Sequence, residues 1–140
     1  MRPNLRSPIA ALALLVLPVA AHAATPITGQ WLTVEGKAIV SITECGQGVC
    51  GRITKVLKPN PNGATVDAHN PDPAKRGRPI EGLQILANFK DDGAAWRGTI
   101  YSPEAGKEYK SFVKRQPDGT LQVKGCIAFF CQTQVWKPAR

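Results

Sequence analysis

The sequence predicts an all-β fold: eight antiparallel strands running up and down into a closed barrel, with one long loop at about residues 58–81. Three observations carry this. Turn residues recur at short intervals, in Glu35-Gly36, Gly46-Gln47-Gly48, Asp91-Asp92-Gly93, Pro103-Glu104-Ala105-Gly106 and Pro117-Asp118-Gly119. Short runs rich in Val, Ile, Thr, Trp, Tyr and Phe lie between them. After residue 23, no long window holds the apolar period of a helix.

The first 23 residues are set apart as an export signal. Arg2 and Arg6 form a positive start, Ile9 to Ala20 is almost wholly apolar, and Ala21-His22-Ala23 is a small-x-small cleavage pattern. The apolar run falls short of the ~20 residues that span a bilayer, so cleavage after Ala23 is expected, with no transmembrane segment in the mature chain. The first cysteine is Cys45, too far along to carry a lipid anchor. Loss of Arg2 and Arg6 takes the formal charge from +8 to +6. Residues 24–140 are then a single domain, delivered to the periplasm or beyond, where disulfides persist.

The strands are expected at 29–35, 37–44, 50–57, 82–90, 95–101, 107–115, 120–126 and 131–137. The first opens on Gly29-Gln30-Trp31, and the second, from Ala38 to Glu44, alternates less cleanly than the rest. The third lies between the Gly46–Gly48 turn and the long loop. In the fourth, Leu83, Ile85, Ala87 and Phe89 share a face opposite Gln84, Asn88 and Lys90, the period of a half-buried strand. Turns at 91–93, 103–106 and 117–119 bound the fifth and sixth. In the seventh, Leu121 and Val123 oppose Gln122 and Lys124. The long loop holds Pro59, Pro61, Pro71, Pro73 and Pro79, and Asp72-Pro73 is suited to open one helical turn.

The cysteines come as two C-x4-C pairs, Cys45/Cys50 and Cys126/Cys131, unlike the C-x2-C knuckles of zinc ribbons. If each pair flanks a four-residue hairpin loop, its members stand opposite on neighbouring strands, ~4.5–5.5 Å apart at Cα and within disulfide reach. In a meander the second and seventh turns fall at opposite ends. The expected bridges are therefore Cys45–Cys50 and Cys126–Cys131.

Candidate binding residues gather in the loops. Asn70, Asp72, Lys75, Arg76 and Arg78 form a polar cluster, where paired guanidinium groups suit a phosphate or carboxylate. Turn chemistry alone accounts for Asn70 and Asp72, so Arg78 is the best single candidate for a ligand contact. Asp67, His69 and Asp72 could suggest a metal or an acid–base group, but a divalent site wants more ligands of defined geometry, and His69 reads as a solvated loop residue. Ile127-Ala128-Phe129-Phe130 is an apolar hairpin tip that either lines the barrel mouth, meets a lipid or a partner, or folds over the core. Tyr101 and Tyr109 are placed near the same end.

Gly29-x-Trp31 resembles the G-x-W signature of lipocalins, whose Trp plugs the closed end of an eight-stranded calycin barrel. That analogy puts 36–37, the loop 58–81, the turn 102–106 and the loop 127–130 at the open mouth. The chain also resembles a family of uncharacterised secreted bacterial domains. The matching pieces are Gly29-x-Trp31, Ile42-Thr43-Glu44-Cys45, Cys50-Gly51-Arg52-Ile53, Asn70-Pro71-Asp72-Pro73, Arg78-Pro79-Ile80-x-Gly82, Tyr101-x-Pro103, Gly106-Lys107-x-Tyr109, Gly125-Cys126 and Trp136. The resemblance implies a lipocalin-like barrel and supplies no catalytic residues.

No nucleophile elbow or Cys–His pair is present, so no catalytic constellation, cofactor or metal is expected. Nucleic acid is disfavoured by export and by the scatter of Lys110, Lys114 and Lys124 over several strands. The leading expectation is a binding protein for an apolar or amphipathic anionic ligand such as a lipid. The alternative is an interaction module, an inhibitor or accessory of an envelope enzyme, working through loop 58–81 and Phe129–Phe130.

Overall fold

The computed structural model describes residues 13–140. Arg2, Arg6 and the start of the apolar run, on which the export signal partly rests, lie outside the described residues. Eight strands follow: β1 (Gly29–Leu32), β2 (Ala38–Cys45), β3 (Gly48–Val56), β4 (Gln84–Asp91), β5 (Trp96–Ser102), β6 (Lys107–Arg115), β7 (Leu121–Ile127) and β8 (Phe130–Pro138). Each pairs with the next, and β1 returns to β8 through Trp31↔Pro138 and Leu32↔Lys137, closing the barrel. Every pairing is antiparallel, as short turns require.

One end is packed solid. Trp31, Phe89, Val113 and Leu121 are buried there, and Ile27, just ahead of β1, is wholly buried with them. The Trp31 indole donates to the Ile27 carbonyl at 2.9 Å, so the plug is held by polar and apolar contacts at once. The Arg115 guanidinium stacks 5.4 Å from the Trp31 ring. This is the closed-end role expected of Gly29-x-Trp31.

Alternation fails where the barrel bends. In β4, Ile85 and Leu86 are both buried, Asn88 has φ 57°, and the register to β5 shifts between Ala87 and Lys90. A bulge of this kind adds a residue on one side and turns a strand around a tight barrel. The neighbouring strand leaves room for it: a Cβ on Gly51 would stand 2.8 Å from the Leu86 side chain.

The expected Cys45–Cys50 bridge is not formed, and both thiols are free. The reason is register. Both hairpins turn on two residues, where four were expected. At β7–β8 the turn is centred on the cysteine pair, so Cys126 faces Cys131 and the two are bridged. At β2–β3 the turn is set by Gly46, whose φ of 63° only glycine adopts freely. Cys45 therefore faces Gly48, and Cys50 faces Thr43.

The long loop is folded rather than slack. Its limbs pair through Val66 and Pro79, with Asp67 N–H donating to the Arg78 carbonyl and Ile80 N–H to the Thr65 carbonyl. Asp72 caps a single 3-10 turn at Pro73–Lys75 by accepting from Ala74 N–H, with Pro73 at its first position, as the sequence predicts. Gly82 N–H then donates to the Ile53 carbonyl and ties the loop back to β3.

Candidate functional site

Opposite the plugged end, the barrel is hollow. A cavity of about 870 Å³ opens between the β1–β2 turn, the long loop, the β5–β6 turn and the lower part of β8. These are the odd-numbered turns, at the end the sequence analogy makes the mouth. Ile53, Ile85, Ile100, Val123 and Trp136 supply apolar wall, while Tyr109, Gln132 and Gln134 supply polar points. Gly125 lines the wall with no side chain, beside Ile100 and Tyr109. Beyond Tyr109 on the same face of β6, Ser111 is buried and its hydroxyl has no hydrogen-bond partner among the described residues.

The rim is charged. Lys37 Nζ lies 3.2 Å from Glu35 and 3.5 Å from Glu104, so one ion pair crosses from the β1–β2 turn to the β5–β6 turn. The Glu35 hydrogen bond, with Glu104 beside it, raises the Lys37 pKa above its ordinary value. Lys58 donates to the Glu35 carbonyl from the start of the long loop. The entrance to the apolar chamber thus carries both signs: Lys37 is held between two carboxylates, and Lys58 stands against a backbone carbonyl.

Behind this wall lies a buried polar knot centred on Asp67, which is wholly buried. It accepts from Tyr101 Oη at 2.6 Å, Asn70 Nδ2 at 2.8 Å and Arg78 at 3.0 Å. Asn70 Nδ2 also donates to Tyr101 Oη, and Asn70 Oδ1 accepts from Asp72 N–H. Arg76 donates to the Asn70 carbonyl. Burial would push the Asp67 carboxyl up, but the hydrogen bonds from Tyr101, Asn70 and Arg78 outweigh it and hold it below its ordinary value. Burial, together with the adjoining Asp67 charge, pushes the Tyr101 phenol up to about 12.

The sequence-derived candidates separate accordingly. Tyr101 and Phe130 line the cavity, as does Tyr109. Asn70, Asp72, Arg76 and Arg78 do not; they hold the loop's own shape, and the partner of Arg78 is Asp67. Phe129 projects fully into solvent at the tip of the β7–β8 turn, and Phe130 beside it is largely exposed at the rim. His69 is exposed, and no group of three His, Cys, Asp or Glu side chains gathers among the described residues.

Residues 29–138 match the model of a family described as "Uncharacterized protein conserved in bacteria (DUF2147)". The chain belongs to that family. The DUF2147 match runs from the first residue of β1 to the last of β8, so it covers the barrel from one end to the other. Among solved structures, the DUF2147 barrel is similar to protein HP1028 from the human pathogen Helicobacter pylori, described as belonging to the lipocalin family. The two share 20% identity over 84% of this chain and 85% of the other, with a TM-score of 0.70, which shows a common lipocalin-like fold. A comparison with curated proteins returned no match.

The rim lysines Lys37 and Lys58 and the wall residues Gln132 and Gln134 escape sequence reasoning. For the two glutamines the signal is the alternation of β8, where Phe130, Gln132, Gln134 and Trp136 fall on one face. Asp67 also escapes as the centre of the loop, because nothing local marks it as buried.

Proposed function

We propose that the chain is an exported binding protein whose barrel takes one apolar or amphipathic anionic ligand, such as a lipid of the cell envelope. The single observation that carries this reading is the open cavity of about 870 Å³, a volume suited to a drug-sized or acyl-chain ligand. The apolar wall receives the hydrocarbon part, and Lys58 at the entrance, whose ammonium meets a backbone carbonyl rather than a carboxylate, favours a negative head group. The signal over residues 1–23 and the Cys126–Cys131 bridge support delivery to the periplasm or beyond. Binding, rather than catalysis, is the activity this set of side chains supports.

Native mass spectra of the periplasmic protein, taken before and after organic extraction, test the proposal. A discrete added mass that extraction removes is expected, and its identity names the ligand class. A bare polypeptide that stays bare when anionic lipids are offered overturns it. That result would favour the second reading, an interaction module that docks on an envelope protein through Phe129, which is fully exposed at the hairpin tip.

A further inference from the structure

The segment ahead of β1 is pinned to the closed end through its backbone. The Ala24 nitrogen lies 2.9 and 3.0 Å from the two carboxylate oxygens of Asp91, the last residue of β4. The Thr25 carbonyl accepts from the Trp96 indole at 2.9 Å, and the Pro26 carbonyl from Arg115 at 3.5 Å. Ala24 and Ile27 are buried, whereas residues 13–23 are exposed and have no regular structure. Burial therefore begins at Ala24, the residue that the Ala21-His22-Ala23 pattern puts first after cleavage.

As a peptide contact, the Ala24 N–H is shared between the two oxygens of Asp91, and Asp91 Oδ1 also accepts from Gly93 N–H at 2.7 Å. A backbone N–H carries one hydrogen, yet both carboxylate oxygens close on this nitrogen at nearly equal distance. A primary ammonium at the same point offers three hydrogens and a full positive charge, and it satisfies both oxygens.

We propose that Asp91 is the docking site for the N-terminal ammonium of the processed chain. A signal-removing endopeptidase adds water across the Ala23–Ala24 peptide bond; Ala23 leaves as the carboxylate, and the freed Ala24 amine takes up a proton. The resulting ion pair fastens the chain's start to the plugged end of the barrel, remote from the cavity. It is independent of any ligand reading.

The surrounding charges set its pH dependence. Asp91 faces the amine from β4, while Asp92 in the following turn is engaged by Arg97. Lys114 and Arg115 on β6 border the same recess and favour the neutral amine. The contact with Asp91 at about 3 Å outweighs them and raises the amine pKa above its ordinary ~8. A group whose folded pKa is raised stabilises the fold below its unfolded value and loses that contribution as pH climbs through the folded one.

The test compares the mature protein purified after export, its Asp91→Asn variant, and a chain carrying a Gly-Ser extension ahead of Ala24. Intact mass gives the first residue; the pH dependence of acetylation gives the α-amino pKa; thermal melts are run at pH 7 and pH 10. The expected first residue is Ala24. Its amine should titrate above ~8 in the mature chain and near the ordinary value in Asp91→Asn. The mature chain should lose about 5 °C more than either comparison chain between the two pH values. Cleavage at another bond, an amine pKa indifferent to Asp91, or a pH response retained by the extended chain each overturns the proposal. Should Asp91→Asn fail to fold, the extended chain, with Asp91 intact, still decides it.

Discussion

Tyr101 on β5 donates a 2.6 Å hydrogen bond to Asp67 in the long loop, so one phenol serves both the cavity wall and the polar knot behind it. Its ring faces the chamber; its hydroxyl holds the loop that forms one side of the mouth.

Replacing Asp67 with Ala should cost about 3 kcal/mol in urea unfolding, since Tyr101, Asn70 and Arg78 all lose their acceptor. Tyr101→Phe, which leaves the other two bonds, should cost about 1 kcal/mol. Because the Asp67 pKa is lowered in the fold, its contribution is present above the ordinary carboxylate value of ~4 and is lost as pH falls through the lowered one. For Tyr101, raised to about 12, the contribution holds below its ordinary value and disappears as pH rises through 12. Acid melts of wild type and Asp67→Asn should therefore converge; curves that stay parallel would contradict this account.

Gly106→Ala should destabilise the mouth by about 2–3 kcal/mol. The residue has φ 63°, and an added Cβ would stand 1.9 Å from the His69 carbonyl oxygen, where the β5–β6 turn touches the long loop. Hydrogen exchange should rise in residues 60–80 while the plugged end stays protected. Uniform loosening would mean that the loop and barrel do not separate in this way.

Removing the Cys126–Cys131 bridge by double Ser substitution should lower stability by about 2 kcal/mol, the value for so short a ring. Cys45→Ser should be nearly neutral, because Cys45 is exposed and unbridged. Alkylation of the native protein should reach Cys45 before Cys50, whose thiol is buried and raised in pKa first by that burial and then by the neighbouring Cys45. A large loss of stability on Cys45→Ser would refute the assignment of a free thiol.

Gly125→Leu should weaken uptake of an anionic fatty-acid probe at least about 10-fold, because its side chain projects into the chamber. The fold should survive, since the space a Cβ would enter is free to 3.6 Å. Lys58→Met should weaken the anionic probe while sparing its alcohol analogue. Equal losses for both probes would remove the rim charge from the binding account.

The strands and the Asp72 cap were legible in the sequence because each rests on local chemistry, and the plugging role of Trp31 came from its resemblance to the lipocalin G-x-W signature. Alternation shows which face of a strand is apolar, Gly and Asp-Gly pairs mark turns, and Asp-Pro fits a helical start. The β4 bulge and the β2–β3 register were not legible. A shift of the turn by one residue moves each facing partner by two, and the even spacing of two C-x4-C pairs conceals it. For the same reason the polar loop cluster reads as a binding site in sequence. Only folding shows that Arg78, Asn70 and Tyr101 converge on Asp67 from positions up to 34 residues apart.

By itself, then, the sequence determined an eight-stranded closed barrel with one long loop, since hydrophobic period and turn residues act over short spans of chain, while the plugged end followed from the resemblance of Gly29-x-Trp31 to lipocalins. Tertiary structure decided which cysteines meet, which charged groups are spent inside the loop, and that the mouth end is hollow. Those outcomes depend on side chains brought together from distant strands, where a single residue of register decides which side chains meet.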